Sequence, residues 1–181
     1  MKAAIAQAIG LVAMTIAIFS FQQKTQKRIL LMQFCSSTLF TLHYGLIGAA
    51  MGSILNGIGI VRAAIFAQRD TKKWAASPIW IPVFIALFAG VYALNFTVLG
   101  KEATVRNLLL EILPVIGMTA TTISFRMEKA GQVRLFSLIS SPLWLIYNVC
   151  SGSLGGAITE IFSLCSIFIG ILRLDRKRKT N

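Results

Sequence analysis

A long uncharged segment, IWIPVFIALFAGVYALNFTVL from Ile79 to Leu99, restricts most strongly what this chain can fold into. A helix needs roughly 20 apolar residues to cross the hydrocarbon core of a bilayer. There are seven apolar runs of about this length, covering about 3–21, 29–49, 52–68, 79–99, 104–124, 133–150 and 154–172. Because lipid offers the backbone no hydrogen-bonding partners, these runs should be helices. We predict an all-α membrane protein with seven transmembrane helices.

The composition supports this class of protein. The 181 residues are 56% hydrophobic and 13% charged, whereas soluble domains carry about a quarter charged residues. The first run follows Lys2, as the core of a signal peptide would, but the next residues, Phe19-Ser20-Phe21, form no small-residue cleavage site. We therefore expect the first run to be a membrane span.

The distribution of positive charge predicts an orientation. With seven spans, fourteen of the eighteen lysines and arginines would lie on one side of the membrane and three, Lys2, Lys101 and Arg106, on the other, with Arg62 inside a span. The positive-inside rule then places the N-terminus outside and the C-terminus in the cytoplasm. We attribute the net charge of +12 to this orientation and expect no nucleic-acid partner. The basic cytoplasmic tail, 174–181, should meet anionic lipid headgroups.

The chain repeats itself at a shift of 104 residues. The shift aligns Gly48 with Gly152 and Gly52 with Gly156, and it aligns the Ser-Ser pairs at 36–37 and 140–141. Chance similarity is the alternative, but the register holds across three spans. The repeat relates spans 1–3 to spans 5–7, and span 4 has no counterpart.

Three helices per unit and one linker helix give both units the same orientation in the membrane. Such parallel repeats generally place a shared site near the bilayer midplane, where the units meet. We predict a first three-helix bundle at 1–70, the linker helix with its loops at 71–102, and a second bundle at 103–173.

Three segments resemble known proteins: HYGLIGAAMGSILNGIGIVR from His43, EILPVIGMTATTISF from Glu111 and WLIYNVCSGSLGGAITEIFSL from Trp144. Together with the three-plus-one-plus-three plan, they resemble the YgjV-type family of bacterial inner-membrane proteins and, more widely, the SWEET/PQ-loop superfamily. The resemblance spans almost the whole chain. It implies a multi-pass protein of the bacterial inner membrane. The superfamily implies transport of small, often sugar-like solutes by alternating access.

The sequence departs from the superfamily in its prolines. The Pro-Gln dipeptide is absent, and Pro114 and Pro142, which are candidate hinges, align with Gly10 and Thr38 in the first unit. The alternative function is therefore a non-transporting membrane partner or sensor that retains the fold.

Polar residues inside the spans are the candidate site residues, because an unpartnered charge in lipid is costly. The resemblance implies that polar residues in the third helix of each unit line the solute site, which selects Asn56 and its equivalent Glu160. Asn56 would hydrogen-bond the solute, and Glu160 would do the same or carry a coupling proton. The alternative is a structural hydrogen bond between the bundles. Arg62 either snorkels to the cytoplasmic surface or pairs with Glu160.

The remaining candidates have both a functional and a structural interpretation. Glu111, the equivalent of Gln7, has a structural or entrance role or contacts the solute directly. His43 and its equivalent Tyr147 either hydrogen-bond locally or act in gating and binding. Phe40 and Trp144 either stack on a sugar-like ring or pack the bundle. The glycines, Gly48, Gly52, Gly152 and Gly156, allow close helix approach or hinge motion.

No sequence pattern indicates catalysis or metal binding. The three cysteines, Cys35, Cys150 and Cys165, lie in predicted spans without metal-ligand spacing, so we expect them to be small buried residues. We expect no enzyme activity and no cofactor. The expected partners are membrane lipid and an unidentified small polar solute, and a homo-oligomer is compatible with the sequence.

Overall fold

The computed structural model describes residues 2–48, 50–150 and 154–175, and in these ranges it is helical without strands. The helices are α1 (Lys2–Ser20), α2 (Gln26–Leu46), α3 (Ala50–Ala67), α4 (Trp80–Thr97), α5 (Val105–Phe125), α6 (Ala130–Cys150) and α7 (Leu154–Gly170), which continues into a π-helical turn, Ile171–Asp175. The predicted all-α class and the seven helices are confirmed.

Five helices are long and apolar enough to cross a membrane: α2, α4, α5, α6 and α7 together with its π-helical turn. The apolar parts of α1 and α3, Ala4–Ser20 and Gly52–Ala67, are shorter. The structure thus supports five spans by length and composition, where the sequence predicts seven.

Six of the helices pack in a ring. Helix α2 packs between α1 and α3, and α6 packs between α5 and α7. The ring closes where α3 contacts α5 and where α7 contacts α1, and α2 approaches α6 across it. Helix α4 packs against α5 and α3 from outside the ring.

Helix α4 uses one face for this packing. Its buried residues, Phe84, Phe88, Val91 and Asn95, recur every three or four positions, which is the spacing of a single helix face. The Phe84 ring lies 6.1 Å from that of Phe66 in α3. The other faces of α4 carry exposed apolar side chains, as expected for a helix that borders lipid.

The surface is apolar and much of the interior is polar. Leu11, Leu109 and Val149 are each about 60% exposed, whereas Thr122 and Ser124 are fully buried. In water this distribution would be unfavourable, but in lipid apolar side chains have no reason to leave the surface. The same reasoning applies to the three cysteines, which are all exposed. The expectation that they are buried is wrong.

Arginines hold together one end of the ring, at which α1, α3, α5 and α7 end; we call it the basic end. The last carbonyl groups of a helix lack partners within the helix. At the end of α1, Arg134 Nη1 donates to the carbonyl oxygens of Phe21 (3.0 Å) and Gln23 (2.9 Å). At the end of α5, Arg69 Nη1 donates to the carbonyl oxygen of Met127 (2.8 Å). Arg134 belongs to α6 and Arg69 to the turn after α3, so these arginines join different parts of the ring as well as satisfying carbonyl groups.

Candidate functional site

A cavity of about 280 Å³ lies within the ring. All six ring helices contribute to its lining, and α4, which is described along its whole length, contributes none. Most of the lining consists of hydroxyl, amide and aromatic side chains, with one carboxyl group from Glu160 and one guanidinium group from Arg62. Such a lining can hydrogen-bond a polar solute and hold a charged one.

Positions related by the 104-residue shift line this cavity together. The pairs are Met14 and Met118, Ala17 and Thr121, Phe21 and Phe125, Gln33 and Ser137, Ser36 and Ser140, Ser37 and Ser141, Phe40 and Trp144, Tyr44 and Asn148, Asn56 and Glu160, and Gly59 and Ser163. Each repeat therefore presents equivalent positions to the same space. The lining is not symmetric, because many pairs differ in chemistry.

Asn56 and Glu160 illustrate this difference. The Asn56 amide nitrogen donates to the Gly52 carbonyl oxygen in its own helix (2.9 Å), which leaves the amide oxygen for another partner. Glu160 lies close to the Ser141 hydroxyl and to Tyr44. One repeat thus offers the cavity a neutral amide and the other a carboxyl group.

Arg62 is 5% exposed and reaches from α3 to α5. Its Nη1 donates to the Met118 carbonyl oxygen (3.1 Å) and to Thr122 Oγ1 (3.2 Å). Its guanidinium carbon lies 4.7 Å from the centre of the Phe125 ring, a cation–π distance. The structure therefore shows neither of the two expected arrangements, because Arg62 does not reach the surface and forms no ion pair with Glu160.

The aromatic candidates Phe40 and Trp144 both line the cavity. The Phe40 ring stacks on Tyr44, with centroids 5.9 Å apart. Trp144 meets the Tyr147 ring edge-on at 5.8 Å. Phe40 and Trp144 therefore pack against other rings and also border the cavity.

The predicted pair His43 and Tyr147 does not line the cavity. His43 Nδ1 lies 2.7 Å from the Ala6 carbonyl oxygen; since a carbonyl can only accept, Nδ1 carries the proton. The ring packs on Gly10, where an added Cβ would lie 2.9 Å from Nδ1. His43 therefore fastens α2 to α1.

Glu111 lies outside the cavity lining and is 1% exposed. Its Oε1 forms an ion pair with Lys101 in the loop between α4 and α5. Its other oxygen, Oε2, has no hydrogen-bonding partner in the part of the chain that the structure describes. The Lys101–Glu111 ion pair connects the α4–α5 loop to α5, so Glu111 makes a structural contact.

The candidate glycines lie in turns and at close helix contacts. Gly48 has a φ of +78° after α2, a conformation that favours glycine. A Cβ on Gly52 would lie 2.8 Å from the Tyr44 ring, and one on Gly156 would lie 2.5 Å from Asn148 Oδ1. These two contacts are equivalent in the repeat. Gly152 lies outside the described residues.

The candidate prolines, Pro114 and Pro142, lie inside α5 and α6, and both helices continue past them. Pro114 is buried. Neither proline ends a helix, and the structure shows no break that would identify a hinge.

Sequence reasoning missed several lining residues, most clearly Tyr44 and Asn148. Each follows a selected residue, His43 or Tyr147, by one position. One position turns a helix by about 100°, so the neighbour occupies a different face. The polar Ser36-Ser37 pair and its equivalent could have marked the correct faces, because all four serines line the cavity.

Within the described ranges, no three His, Cys, Asp or Glu side chains group as a metal site. The chemistry of the cavity is therefore that of hydrogen bonds, aromatic faces and two charges.

Comparisons with known proteins agree with a membrane location. A family described as bacterial inner membrane protein, Imp-YgjV, matches residues 4–178. The chain is 26% identical over 178 residues to inner membrane protein YgjV of Escherichia coli (strain K12), covering 97% of this chain and 87% of that protein. No solved structure matches the chain. Because the family match extends over nearly the whole sequence, this chain belongs to the YgjV family of bacterial inner-membrane proteins.

Proposed function

We propose that this protein transports a small polar solute across the inner membrane by alternating access and performs no catalysis. The observation that carries the proposal is the cavity of about 280 Å³, which is lined by equivalent positions of both repeats. In this proposal the helices act as two parallel three-helix bundles joined by α4, with the N-terminus outside and the C-terminus in the cytoplasm. Transporters built from repeats bind their solutes at such an interface.

The size and lining of the cavity limit the solute. The volume lies near the lower end of the range for small-molecule sites, so a sugar-sized or amino-acid-sized solute fits it best. Asn56 and the hydroxyl groups supply hydrogen bonds, and Phe40 and Trp144 supply flat apolar faces. Glu160 binds the solute or carries a coupling proton.

The contacts between the two halves concentrate at the basic end. Gln22 Nε2 donates to Ser166 Oγ (2.9 Å), and Gln26 Nε2 donates to the Phe125 carbonyl oxygen (2.9 Å). With the basic end in the cytoplasm, this conformation is held together on the cytoplasmic side. Transport would require these contacts to open in turn.

Solute counterflow into liposomes containing the purified protein tests the proposal. We expect Glu160→Gln and Asn56→Ala each to reduce flux at least about tenfold, because the first removes the ionisable carboxyl group and the second removes the amide that would face the bound solute. Glu102→Gln, at an exposed position, is the matched control and should leave flux unchanged. Size-exclusion elution at the wild-type volume would show that the variants are folded. Saturable flux that is unaltered in both site variants would reject the site.

The second candidate is a non-transporting partner or sensor protein. The observation that favours it is the number of hydrogen bonds from Arg62, Arg69 and Arg134 that join helices of the two halves. This candidate requires that no solute in a broad panel exchanges and that a defined protein co-purifies from the membrane. Saturable counterflow of any solute would remove it.

A further inference from the structure

Arg62 and Glu160 line the same cavity and do not pair with each other. In the described part of the chain, the ion pairs are Arg69–Asp70, Lys101–Glu111 and Arg134–Asp175. Opposite charges attract strongly in a medium of low dielectric constant. Their separation therefore indicates that the fold holds these two side chains apart.

The partners of Arg62 are all electrically neutral. They are the Met118 carbonyl oxygen, the Thr122 hydroxyl and the Phe125 ring. The side chain is 5% exposed, and its Nε has no hydrogen-bonding partner among the described residues. A buried guanidinium group thus lines the cavity with a donor still unused and without a counter-charge.

Glu160 also forms no ion pair in the described part of the chain. Two neutral groups, Ser141 and Tyr44, lie near its carboxyl group. Arg62 lies six positions beyond Asn56, the repeat equivalent of Glu160, which is about 9 Å along a helix axis. Arg62 and Glu160 therefore enter the cavity from different helices, α3 and α7, and at positions that are not equivalent in the repeat.

We infer that the cavity binds a zwitterionic solute, such as an amino acid or a short peptide, with its carboxylate at Arg62 and its ammonium group at Glu160. The inference rests on the proposed transport function and names its solute class. Buried charges are stabilised by partners of opposite sign, and a zwitterion supplies both partners at once.

Other solute classes match the cavity less well. A neutral sugar leaves both side chains without a counter-charge. A simple anion pairs with Arg62 but adds negative charge near Glu160, and a simple cation has the converse effect. With Glu160 ionised, the charges of Arg62 and Glu160 cancel, as do the two charges of a zwitterion.

Thermal unfolding of the detergent-purified protein with four sets of compounds tests this inference. The sets are amino acids and dipeptides, the matched amines without the carboxylate, the matched acids without the amine, and monosaccharides. We expect only the first set to raise the unfolding temperature. Arg62→Gln and Glu160→Gln should each weaken binding at least about tenfold, because each leaves one charge of the solute unpaired.

Two controls separate the loss of binding from the loss of structure. Arg28→Gln and Glu102→Gln remove charges of the same types at exposed positions and should bind as the wild type does. Arg62→Lys retains a positive charge and should bind more tightly than Arg62→Gln. All variants should elute as the wild type does in size-exclusion chromatography.

Two results would overturn the inference without removing the transport function. The first is binding and counterflow of monosaccharides with no effect of zwitterions. The second is zwitterion binding that neither Arg62→Gln nor Glu160→Gln weakens. If no compound in any set binds or exchanges in liposomes, both the inference and the proposed function fail.

Discussion

The two contacts that close the ring use equivalent positions but different side chains. Between α3 and α5, Arg62 donates to the Met118 carbonyl oxygen and Thr122 Oγ1, at 3.1 and 3.2 Å. Between α7 and α1, Ser166 Oγ donates to the Ile18 carbonyl oxygen at 2.6 Å. Ser166 is the repeat equivalent of Arg62, and Ile18 is that of Thr122. The α3–α5 contact therefore uses a long cationic side chain, whereas the equivalent α7–α1 contact uses a small hydroxyl group.

This difference makes the cavity electrically asymmetric. A guanidinium group enters from the α3–α5 contact only, and a carboxyl group enters from α7 where α3 has an amide. Two equivalent arginines in one cavity would repel each other. The repeat thus explains why equivalent positions line the cavity, and its divergence explains why the charged groups of the lining have no equivalents in the other repeat.

A second difference lies in the arginines at the basic end. Gln23 and Met127 are equivalent, and each has a backbone carbonyl group that accepts from an arginine. The arginine at Gln23 is Arg134 of α6, but the one at Met127 is Arg69 after α3. Helix ends require partners for their carbonyl groups, but the packing decides which helix supplies them.

The largest stability effect that we predict comes from replacing Arg134, at the basic end, by the residue found at the equivalent position of the first repeat. The equivalent of Arg134 is Leu30, and Arg134 also binds Asp175, with Nη2 to Oδ1 at 2.5 Å. Arg134→Leu should lower the free energy of unfolding by about 3 kcal/mol, because it leaves the partly buried Asp175 carboxylate and two helix-end carbonyl groups without their partner. Equilibrium unfolding in detergent measures this.

Arg173→Leu is the control, since Arg173 is an exposed arginine in the same region. It should change the free energy of unfolding by less than about 0.5 kcal/mol. Equal losses in both variants would show that the contacts of Arg134 contribute nothing specific.

A smaller effect should distinguish the equivalent glycines. Gly52→Ala places a Cβ 2.8 Å from the root of the Tyr44 ring, whereas Gly156→Ala places it 2.5 Å from the end of the Asn148 side chain. An amide at the end of a side chain can rotate away more easily than a ring atom. We expect Gly52→Ala to destabilise by about 1–3 kcal/mol and Gly156→Ala by less, in the same unfolding measurement.

The control for both is Gly57→Ala, since an added Cβ there meets nothing within 4 Å. This variant should be neutral or slightly stabilising, because alanine favours helix over glycine. If Gly156→Ala proved the more harmful, the shorter distance and not the freedom of the neighbouring side chain would decide the effect.

The smallest effect that we predict is at the α7–α1 contact. Ser166→Ala removes the hydroxyl that donates to the Ile18 carbonyl oxygen and accepts from Gln22 Nε2. It should cost about 1 kcal/mol, because Gln22 Nε2 keeps its bond to the Ser166 carbonyl oxygen. The neighbouring Cys165→Ala, at an exposed position, removes one atom without a hydrogen bond and should have almost no effect. Similar unfolding temperatures for the two variants would contradict a stabilising role for this hydroxyl.

Part of the cavity lining followed from the sequence. Asn56, Glu160, Phe40 and Trp144 all line the cavity, because repeated units tend to present equivalent positions to a shared space. His43 and Tyr147 do not line it. Aligning the two repeats shows which positions correspond, but it does not show which face of each helix borders the cavity. The rotation of α2 depends on contacts such as His43 with the Ala6 carbonyl oxygen in α1.

The contacts of Arg62 and Glu111 could not be predicted from the sequence in the same way. Arg62 binds a carbonyl group 56 positions further along the chain, and a free carbonyl acceptor has no signature in the sequence. Glu111 pairs with Lys101, ten positions away, but this pairing requires the intervening loop to turn back onto α5.

The sequence by itself determined the number of helices, their approximate ends and the equivalence of the two repeats. Lipid imposes these features locally, because each apolar segment must satisfy its own backbone hydrogen bonds. The tertiary structure alone decided which face of each helix lines the cavity, which helix supplies each arginine and why Arg62 and Glu160 remain apart. These features depend on side chains meeting groups that are distant in the chain, and such meetings are set by packing.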